Sequence, residues 1–353
     1  MASRRGAAAA LIIAGGSGTR FWPASRAARP KPLFSVDGKR SLLANTVLRL
    51  QPRVPSERIF VLVAASHAKA FRRELKGLIP ARNLIIEPAA RGTAVAIVYG
   101  VAVIERRLGQ GVIAVMPADH LIDPAAGFRA TLADAVGIAS KEDSVVVIGV
   151  PPTRPEPGLG YQKIGRPFGK GFVVEKFIEK PAPKLALSMV RSGKYLWNAG
   201  MFVMSTRTLA SELRKHCPAL ARAAKGLAAK PVAQIARRYQ KLSFDSFDRE
   251  VVEKSTQILG VRARFRWHDV GSWEGLRQAI AGHEGKVLRG EVIALDSDRV
   301  VAHSDSRLLV LLGVKDLIVV DTGDAILVAD RSRSQELRRA TEELARRGLH
   351  RYL

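Results

Sequence analysis

An apolar run that leads into a glycine-rich, cation-rich loop constrains this chain more than any other stretch. Residues 8–14 form the run, which predicts a buried β-strand, and residues 15–32 form the loop. Glycines allow backbone N–H groups to approach a ligand closely, because no Cβ stands in the way. Successive N–H groups in such a loop make a concave site for anions, and Arg and Lys side chains add full positive charge. The loop therefore predicts a polyphosphate site at the end of a strand.

The loop matches neither of the two common nucleotide-binding fingerprints. The dinucleotide pattern needs a glycine where Phe21 stands, and the P-loop pattern needs Gly-Lys-Ser/Thr after four residues. A bare glycine-rich loop could equally be a tight strand-to-helix turn, but the full spacing G-G-x-G-T-R-x-x-P-x-S-R-x-x-x-P-K is far more specific. The loop residues that we expect to bind nucleotide phosphates are Gly15, Gly16, Ser17, Gly18, Thr19, Arg20 and Lys31.

Composition bounds the class of protein. The 353 residues predict one large domain and a small one, and 47% hydrophobic residues suffice for a core. The formal net charge of +25 is spread along the chain without a nucleic-acid-binding motif, so we interpret it as attraction for anionic substrates. The single cysteine, Cys217, excludes a disulfide framework and a cysteine-rich metal site. With no apolar run of ~20 residues, we expect a cytoplasmic protein without membrane or nucleic-acid partners.

Strands and helices alternate with short connections through the first 150 residues. Such alternation implies parallel pairing through right-handed crossovers, and sheets of this kind bind ligands at the carboxyl ends of their strands. The predicted strands are 8–14, 59–64, 83–86, 112–116 and 144–150, and the predicted helices are 41–50, 67–76, 92–108 and 128–140. Further along, the pattern predicts strands at 172–178 and 197–202 and helices at 209–216 and 232–239.

A composition shift after residue 282 predicts a second domain. We place a first domain at 1–283 and a β-rich domain at 284–353, because short β-branched runs separated by Asp, Ser and Gly follow one another there. The chain closes with a predicted helix. Ser332 and Gln335 suggest a capping box at its start, and Gly348 its end.

Two aspartates are candidates for holding a divalent cation. Asp119 follows a predicted strand near the phosphate loop, and Asp269 follows an apolar-aromatic run. Carboxylates together with substrate phosphates are ligands that Mg²⁺ prefers. Asp119 could equally cap a helix, and Asp269 could equally belong to a Gly-Ser turn. His120, beside Asp119, is expected to serve in packing or as a hydrogen-bond partner rather than as a ligand.

A second set of polar residues could bind a sugar phosphate. Glu179, Asn198 and Asp248 offer acceptors for hydroxyl groups, which need hydrogen-bonding partners in fixed places. Lys180 is a candidate for a phosphate, although its default interpretation is a solvent-facing lysine paired with Glu179. Gly160 and Tyr161 form a turn at the expected mouth of the site.

The order of these blocks resembles that of the mannose-1-phosphate guanylyltransferases, within the sugar-nucleotide pyrophosphorylases. Beyond the glycine loop, the blocks are E-P-x-x-R-x-T-A at 87–94, P-A-D-H at 117–120, G-x-G-Y at 158–161, F-I-E-K-P at 177–181, W-N-x-G-M-F at 197–202, F-D-x-x-V-x-E-K at 247–254 and W-x-D-V-G-S-W at 267–273. Residues 313–322 resemble that family's small C-terminal β-helix.

The resemblance implies a fold and a reaction. It implies an α/β, Rossmann-like nucleotidyltransferase domain with a mostly parallel sheet and a C-terminal left-handed β-helix-like domain. GTP and mannose 1-phosphate would give GDP-mannose and pyrophosphate by Mg²⁺-assisted in-line attack, with no covalent intermediate. A homodimer is possible. The family's isomerase domain has no counterpart in this sequence, so we expect no phosphomannose isomerase activity.

The resemblance also implies roles for individual residues. Arg20 and the loop would hold the β- and γ-phosphates, Lys31 would lie near the α-phosphate, and Lys180 would neutralise the sugar phosphate. Asp119 and Asp269 would hold the metal. The guanine side would be lined by Glu87, Arg91 and Thr93, and the sugar phosphate side by Gly160, Tyr161, Glu179, Asn198 and Asp248.

One departure from the family pattern concerns the nucleotide. Arg-Gly-Thr at 91–93 replaces the usual Arg-Asn-Thr, which removes an amide that could touch the base and leaves strictness for GTP open. The alternatives are a related transferase for another nucleotide or for glucose 1-phosphate, and a non-catalytic protein that binds GDP-mannose. A basic nucleic-acid-binding protein is a further alternative.

Overall fold

A computed structural model describes residues 8–15, 18–36, 38–224, 226–227, 232–281 and 285–353 of the chain. The predicted contacts of Gly16 and Ser17 and the predicted domain boundary between residues 283 and 284 lie outside these described residues.

A nine-stranded sheet forms the centre of the larger part of the described chain, and a separate sheet has two strands. The strands are β1 (Ala9–Ile13), β2 (Ile59–Ala64), β3 (Leu84–Glu87), β4 (Val112–Pro117), β5 (His120–Asp123), β6 (Val145–Val150), β7 (Tyr161–Phe168), β8 (Gly171–Ile178), β9 (Tyr195–Ser205), β10 (Ile258–Arg262) and β11 (Arg266–Asp269). The larger sheet has the order β3-β2-β1-β4-β9-β6-β10-β8-β7, and the smaller one pairs β5 with β11.

The prediction of parallel pairing is confirmed for the first half of the sheet. Strands β3, β2, β1 and β4 are all parallel neighbours, so their carboxyl ends lie along one edge. The long strand β9 lies between β4 and β6 and is antiparallel to both. Strands β7 and β8 add an antiparallel hairpin beside β10. The sheet is therefore mixed beyond β4.

Helices cover both faces of this sheet. They are α1 (Leu42–Leu50), α2 (Ala68–Glu74), α3 (Thr93–Leu108), α4 (Ala125–Ala139), α5 (Pro183–Ser192), α6 (Thr206–His216), α7 (Pro218–Ala224) and α8 (Val232–Gln240). Helix α9 (Trp273–Ala281) packs instead in a separate core. The start of α1 has a clear local cause, because the Ser41 hydroxyl accepts the Ala44 N–H at 3.0 Å. The alternate side chains of β1 fall in two cores, Ile12 in one and Leu11 in the other. A strand buried on both faces reads as a continuous apolar run, as residues 8–14 do.

Short parallel strands stacked in coils form the C-terminal part. They are β12 (Val287–Arg289), β13 (Val292–Leu295), β14 (Val301–Ser304), β15 (Leu309–Leu312) and β16 (Leu317–Asp321). The last strand, β17 (Ile326–Asp330), is antiparallel to β16. Strands β12, β14 and β16 pair in parallel, as do β13 and β15, which is the arrangement of a small β-helix. The chain then forms a 3₁₀ helix (Arg331–Glu336) and α10 (Leu337–Arg346).

The two parts share an apolar core. Phe21 and Phe34 from the glycine-loop segment, Trp273 from α9, and Ile318 and Val320 from β16 are all buried in it. The rings of Phe21 and Trp273 lie 5.0 Å apart between centroids. The segment that follows the glycines therefore packs against the β-helix.

The predicted capping box is wrong. The side chain of Asp330, rather than that of Ser332, accepts a backbone hydrogen bond there, from the Ser332 N–H at 2.7 Å. This hydrogen bond caps a 3₁₀ helix over Arg331–Glu336, so α10 begins only at Leu337. Gly348 does follow the helix with a positive φ of 71°. In the described part of the chain, no helix is both long enough and apolar enough to cross a bilayer.

Candidate active site

A cavity of about 460 Å³ opens at the carboxyl ends of the parallel strands. Ile13 at the end of β1, Glu87 at the end of β3 and Pro117 at the end of β4 line it. The other candidate residues that line it are Gly15, Arg91, Thr93, Asp119, Gly160, Glu179, Lys180, Asn198, Asp248 and Asp269. Residues from distant blocks of the sequence therefore meet at one opening.

The glycine loop forms an adjoining, smaller cavity of about 280 Å³. Thr19, Arg20 and Lys31 line it, and it shares Gly15 and the two candidate metal ligands with the larger cavity. Gly18 has a φ of 60°, and a Cβ there would lie 2.9 Å from the Lys31 Cβ. Only glycine fits this crowded, left-handed position.

Asp119 and Asp269 come together because β5 and β11 pair. In this antiparallel pair Asp269 is the partner of His120, which places it beside the preceding residue, Asp119. The Lys31 ammonium lies with them, 2.6 Å from the Asp119 Oδ2 and 3.9 Å from the Asp269 Oδ1. Two carboxylates thus face one cationic group at the boundary of the two cavities.

This arrangement favours an ionised Asp119 carboxylate. Burial opposes ionisation of Asp119, but the charge of Lys31, with smaller contributions from its surroundings, outweighs it and lowers the pKa of Asp119. Among the residues described, no group of three or more His, Cys, Asp or Glu side chains forms a ready-made metal cage. Two hard carboxylate oxygens fit a Mg²⁺ ion that takes its remaining ligands from phosphates and water. The donor set therefore fits a divalent cation bound together with a nucleotide.

His120 has the packing role that its sequence context suggested. The Trp267 indole N–H donates to the His120 Nδ1 at 3.1 Å, and the two rings meet edge to face. Burial, the largest influence, lowers the pKa of His120 despite the neighbouring Asp119 and Asp269 carboxylates. A neutral His120 supports the wall of the cavity.

A second acidic pair, Glu179 and Asp248, has a different environment. The Asn198 Nδ2 donates to the Asp248 Oδ1 at 2.8 Å. Burial and the neighbouring Glu179 carboxylate raise the pKa of Asp248 to about 7. Gly160 permits this close grouping, because a Cβ there would lie 2.6 Å from the Glu179 Oε2 and 3.3 Å from the Asn198 Cβ. The group presents several hydrogen-bonding atoms to the cavity.

Lys180 both pairs with Glu179 and faces the cavity, the two alternatives that the sequence left open. Its ammonium pairs with the Glu179 Oε1 at 3.0 Å, and the residue also lines the cavity. Its φ of 49° is a left-handed conformation that non-glycine residues seldom adopt. Strain of this kind concentrates at binding sites.

The remaining wall is formed by the block at residues 87–93. Glu87 is buried and accepts the Tyr239 hydroxyl at 2.8 Å. Burial raises the pKa of Glu87, although the hydrogen bond from Tyr239 opposes the rise. The Thr93 Oγ1 accepts the Phe247 N–H at 3.1 Å, which fastens the segment before Asp248 to the start of α3.

Gly92 departs from the family pattern for a local reason. Its φ of 85° and ψ of 161° suit glycine alone, and a Cβ there would lie 2.8 Å from the Phe244 carbonyl oxygen. An asparagine at this position is incompatible with this backbone.

Some predicted residues lie apart from the main cavity. Tyr161 is fully buried, and its hydroxyl accepts the Glu156 N–H at 2.9 Å, so it supports the neighbouring loop. Arg20 lines only the smaller cavity. Sequence reasoning missed Tyr239, which carries no local signal because it acts on Glu87, far away in the sequence. It placed Glu253 in the block at 247–254 without a role in the site, whereas the Glu253 Oε1 accepts the Glu179 N–H at 3.1 Å.

Comparison with known families divides the chain in two. The family profile described as nucleotidyl transferase matches residues 9–285. The profile described as MannoseP isomerase/GMP-like β-helix domain matches residues 290–344.

Similarity to named relatives covers nearly the whole chain. Xanthan biosynthesis protein XanB of Xanthomonas campestris pv. campestris is 34% identical over 346 residues, which are 96% of this chain and 73% of that protein. The mannose-1-phosphate guanylyltransferase of Escherichia coli K12 is 33% identical over 356 residues, which are 96% of this chain and 74% of that protein.

A solved structure resembles the whole fold. The crystal structure named mannose-1-phosphate geranyltransferase, from Thermus thermophilus, has a TM-score of 0.88 and 34% sequence identity. The match covers 96% of this chain and 99% of that one. The chain therefore belongs to the nucleotidyl transferase family, as an enzyme with a Rossmann-like α/β domain followed by a β-helix domain.

Proposed function

We propose that this enzyme transfers GMP from GTP to mannose 1-phosphate, giving GDP-mannose and pyrophosphate. The observation that carries the proposal is that Asp119 and Asp269 both face Lys31 beside the glycine loop. The same cavity also contains Glu179, Asn198 and Asp248. The first group suits a triphosphate and its metal, and the second suits a sugar. The relative named mannose-1-phosphate guanylyltransferase supports the choice of both substrates.

The glycine loop binds the triphosphate in this proposal. Gly15 faces open space, with nothing within 4 Å of a Cβ built on it, so its backbone is free to contact a phosphate. Arg20 holds the β- and γ-phosphates, which leave as pyrophosphate. Lys31 lies near the α-phosphate, where negative charge builds as the new bond forms.

Asp119 and Asp269 hold the divalent cation that the family uses. When bound, the cation neutralises phosphate charge and orients the leaving group. Lys31 then has to release Asp119 and turn to the α-phosphate. The lowered pKa of Asp119 keeps this carboxylate ionised, and ready for a cation, while Lys31 pairs with it.

The sugar phosphate binds on the other side of the α-phosphate. Glu179, Asn198 and Asp248 bind the hydroxyl groups, and Lys180 neutralises the phosphate. The phosphate oxygen attacks the α-phosphorus in line, and the bond to the β-phosphate oxygen breaks. Catalysis rests on positioning and charge neutralisation, so no nucleophile from the protein is required.

The block at Glu87, Arg91 and Thr93 lines the base side in this proposal. Glu87 is already engaged by Tyr239. Gly92 offers the base no side-chain amide, so selection of guanine has to come from its neighbours.

Release of pyrophosphate from GTP, with and without mannose 1-phosphate in Mg²⁺, tests the proposal. We expect release only when both substrates are present. The same assay with ATP, UTP and dTTP, and with glucose 1-phosphate, identifies a related transferase. GDP-mannose binding without turnover of any pair would indicate the non-catalytic alternative and refute the proposal.

A further inference from the structure

The segment that carries Arg20 is fastened to the C-terminal domain by polar contacts as well as by the shared core. The Trp22 indole N–H donates to the Tyr352 carbonyl oxygen at 2.8 Å. The Arg26 guanidinium pairs with the Asp324 carboxylate at 2.6 Å. The position of this half of the glycine loop therefore depends on the β-helix domain and the helix that follows it.

One side chain of the C-terminal domain contacts Arg20 itself. Gln335 lies in the 3₁₀ helix Arg331–Glu336, and its Oε1 accepts the Arg20 Nη1–H at 2.8 Å. Its Nε2 donates to the Ser272 Oγ at 3.3 Å. Ser272 is 1% exposed, and its Oγ also accepts the Gly275 N–H at 3.2 Å at the start of α9. The amide of Gln335 is thus anchored on a buried hydroxyl.

Gln335 joins the two segments that flank the cation-binding aspartates. Arg20 follows the glycines, whereas Ser272 belongs to the turn that follows Asp269. The guanidinium also lies against this turn, because a Cβ on Gly271 would be 3.5 Å from its Nη1. An exposed arginine has many rotamers, and an acceptor that fixes one of them lowers the entropy lost when phosphate binds.

We propose that Gln335 is a positioning residue for nucleotidyl transfer, which holds Arg20 where the β- and γ-phosphates of the nucleotide bind. This inference rests on the proposed function. Gln335 contacts Arg20 and its own anchor Ser272 rather than a substrate, so it acts on the reaction through that arginine. The β-helix domain then takes part in the active site as well as in the fold.

A double-mutant cycle on Gln335 and Arg20 tests this role. Gln335→Leu keeps the size of the side chain and removes both hydrogen bonds, so kcat/KM for GTP should fall about tenfold while KM for mannose 1-phosphate stays within about twofold. In the Arg20→Ala background the same change should cause no further loss. Gln278→Leu is the matched control, because Gln278 donates to Glu274 at 2.8 Å and is not among the residues that line either cavity.

The outcomes separate this role from the proposed function. A wild-type protein that releases no pyrophosphate refutes both. An active wild type in which Gln335→Leu has no effect, or has equal effects with and without Arg20, refutes only the role of Gln335. Thermal unfolding of each variant verifies that the protein is folded, and an equal loss in Gln278→Leu would also refute a specific role.

Discussion

Two acidic pairs line the same cavity in opposite electrostatic surroundings. Asp119 and Asp269 face the Lys31 ammonium, and the pKa of Asp119 is lowered. Asp248 lies near Glu179, a like charge, and its pKa is raised to about 7. Two aspartates therefore have pKa values shifted in opposite directions, because the fold places different charges beside them. The first pair suits a cation bound to phosphates, and the second suits neutral hydroxyl groups.

The difference arises from two kinds of long-range pairing. The first pair is assembled by the short antiparallel sheet of β5 and β11. The second is assembled where Glu179, directly after β8, meets a π-helical segment, Asp248–Val252. The residue before that segment, Phe247, is fastened to α3 through Thr93. We expect substitutions in the two pairs to affect separate steps.

The largest effect should come from the first pair. Asp119→Asn removes a carboxylate from the proposed metal site, so turnover should fall about 1000-fold or more with the fold intact. The measurement is pyrophosphate release in saturating Mg²⁺. Asp123→Asn is the control, because Asp123 makes an exposed ion pair with Arg266 at 2.6 Å, at the far end of β5. Near-normal turnover in Asp119→Asn would remove this residue from the metal role.

A smaller but still large effect is expected at Lys31. Lys31→Ala should lower kcat about 100-fold, with little change in KM, because the charge it neutralises develops in the transition state. Single-turnover kinetics separates the chemical step from binding. Lys163→Ala provides the control, since Lys163 makes an ion pair of the same 2.6 Å length with Glu175 and is not among the residues that line the cavity. An unchanged rate constant would contradict the assignment.

The second pair should make the stability of the fold depend on pH. The pKa of Asp248 is 3.8 in the unfolded chain and about 7 in the folded protein. A carboxyl with a raised pKa contributes fully to the stability of the fold below its unfolded pKa. That contribution is lost as the pH rises through the folded pKa. The stability of Asp248→Asn relative to wild type should therefore rise by about 2–3 kcal/mol between pH 5 and pH 8. Denaturant unfolding at both values measures this.

Asp245→Asn is the matched control for that experiment. A hydrogen bond from the Ser246 N–H, followed by one from Arg249, lowers the pKa of Asp245. This carboxyl is ionised in both the folded and unfolded states above pH 5, so its substitution should show no comparable pH dependence. A flat difference for Asp248→Asn would contradict the environment described for the second pair.

The smallest effect is expected at Gly92, which packs against the segment before Asp248. Gly92→Ala should destabilise the fold by about 1–2 kcal/mol and raise KM for mannose 1-phosphate, because the Phe244 carbonyl has to move. Gly109 ends the same helix with a similar φ of 78° and has nothing within 4 Å of a Cβ. Gly109→Ala should therefore cost only backbone strain and leave KM unchanged. Equal KM values in both variants would contradict a link between Gly92 and the second pair.

Much of the fold could be predicted because its signals are local. Strand β2 matches its predicted bounds, and α1 begins after the serine that caps it. The short strands β5 and β11 were not predicted, because four residues each carry too little periodicity, and yet they bring Asp119 to Asp269. The capping box failed because Asp330 competes for the same backbone group.

The residues of the candidate site could be named, but their interactions could not. The sequence places Glu179 and Asp248 in separate blocks and does not predict that one raises the pKa of the other. It also gives no indication that Gln335 reaches Arg20, because that contact joins residues 315 positions apart. Such contacts depend on packing between distant elements rather than on local pattern.

Binding of Mn²⁺, followed by electron paramagnetic resonance in the presence of GTP, tests the division between the two pairs most directly. We expect wild type and Asp248→Asn to bind the ion equally well, whereas Asp119→Asn should bind it weakly or not at all. Undiminished binding in Asp119→Asn, or loss of binding in Asp248→Asn, would refute the division between the two pairs.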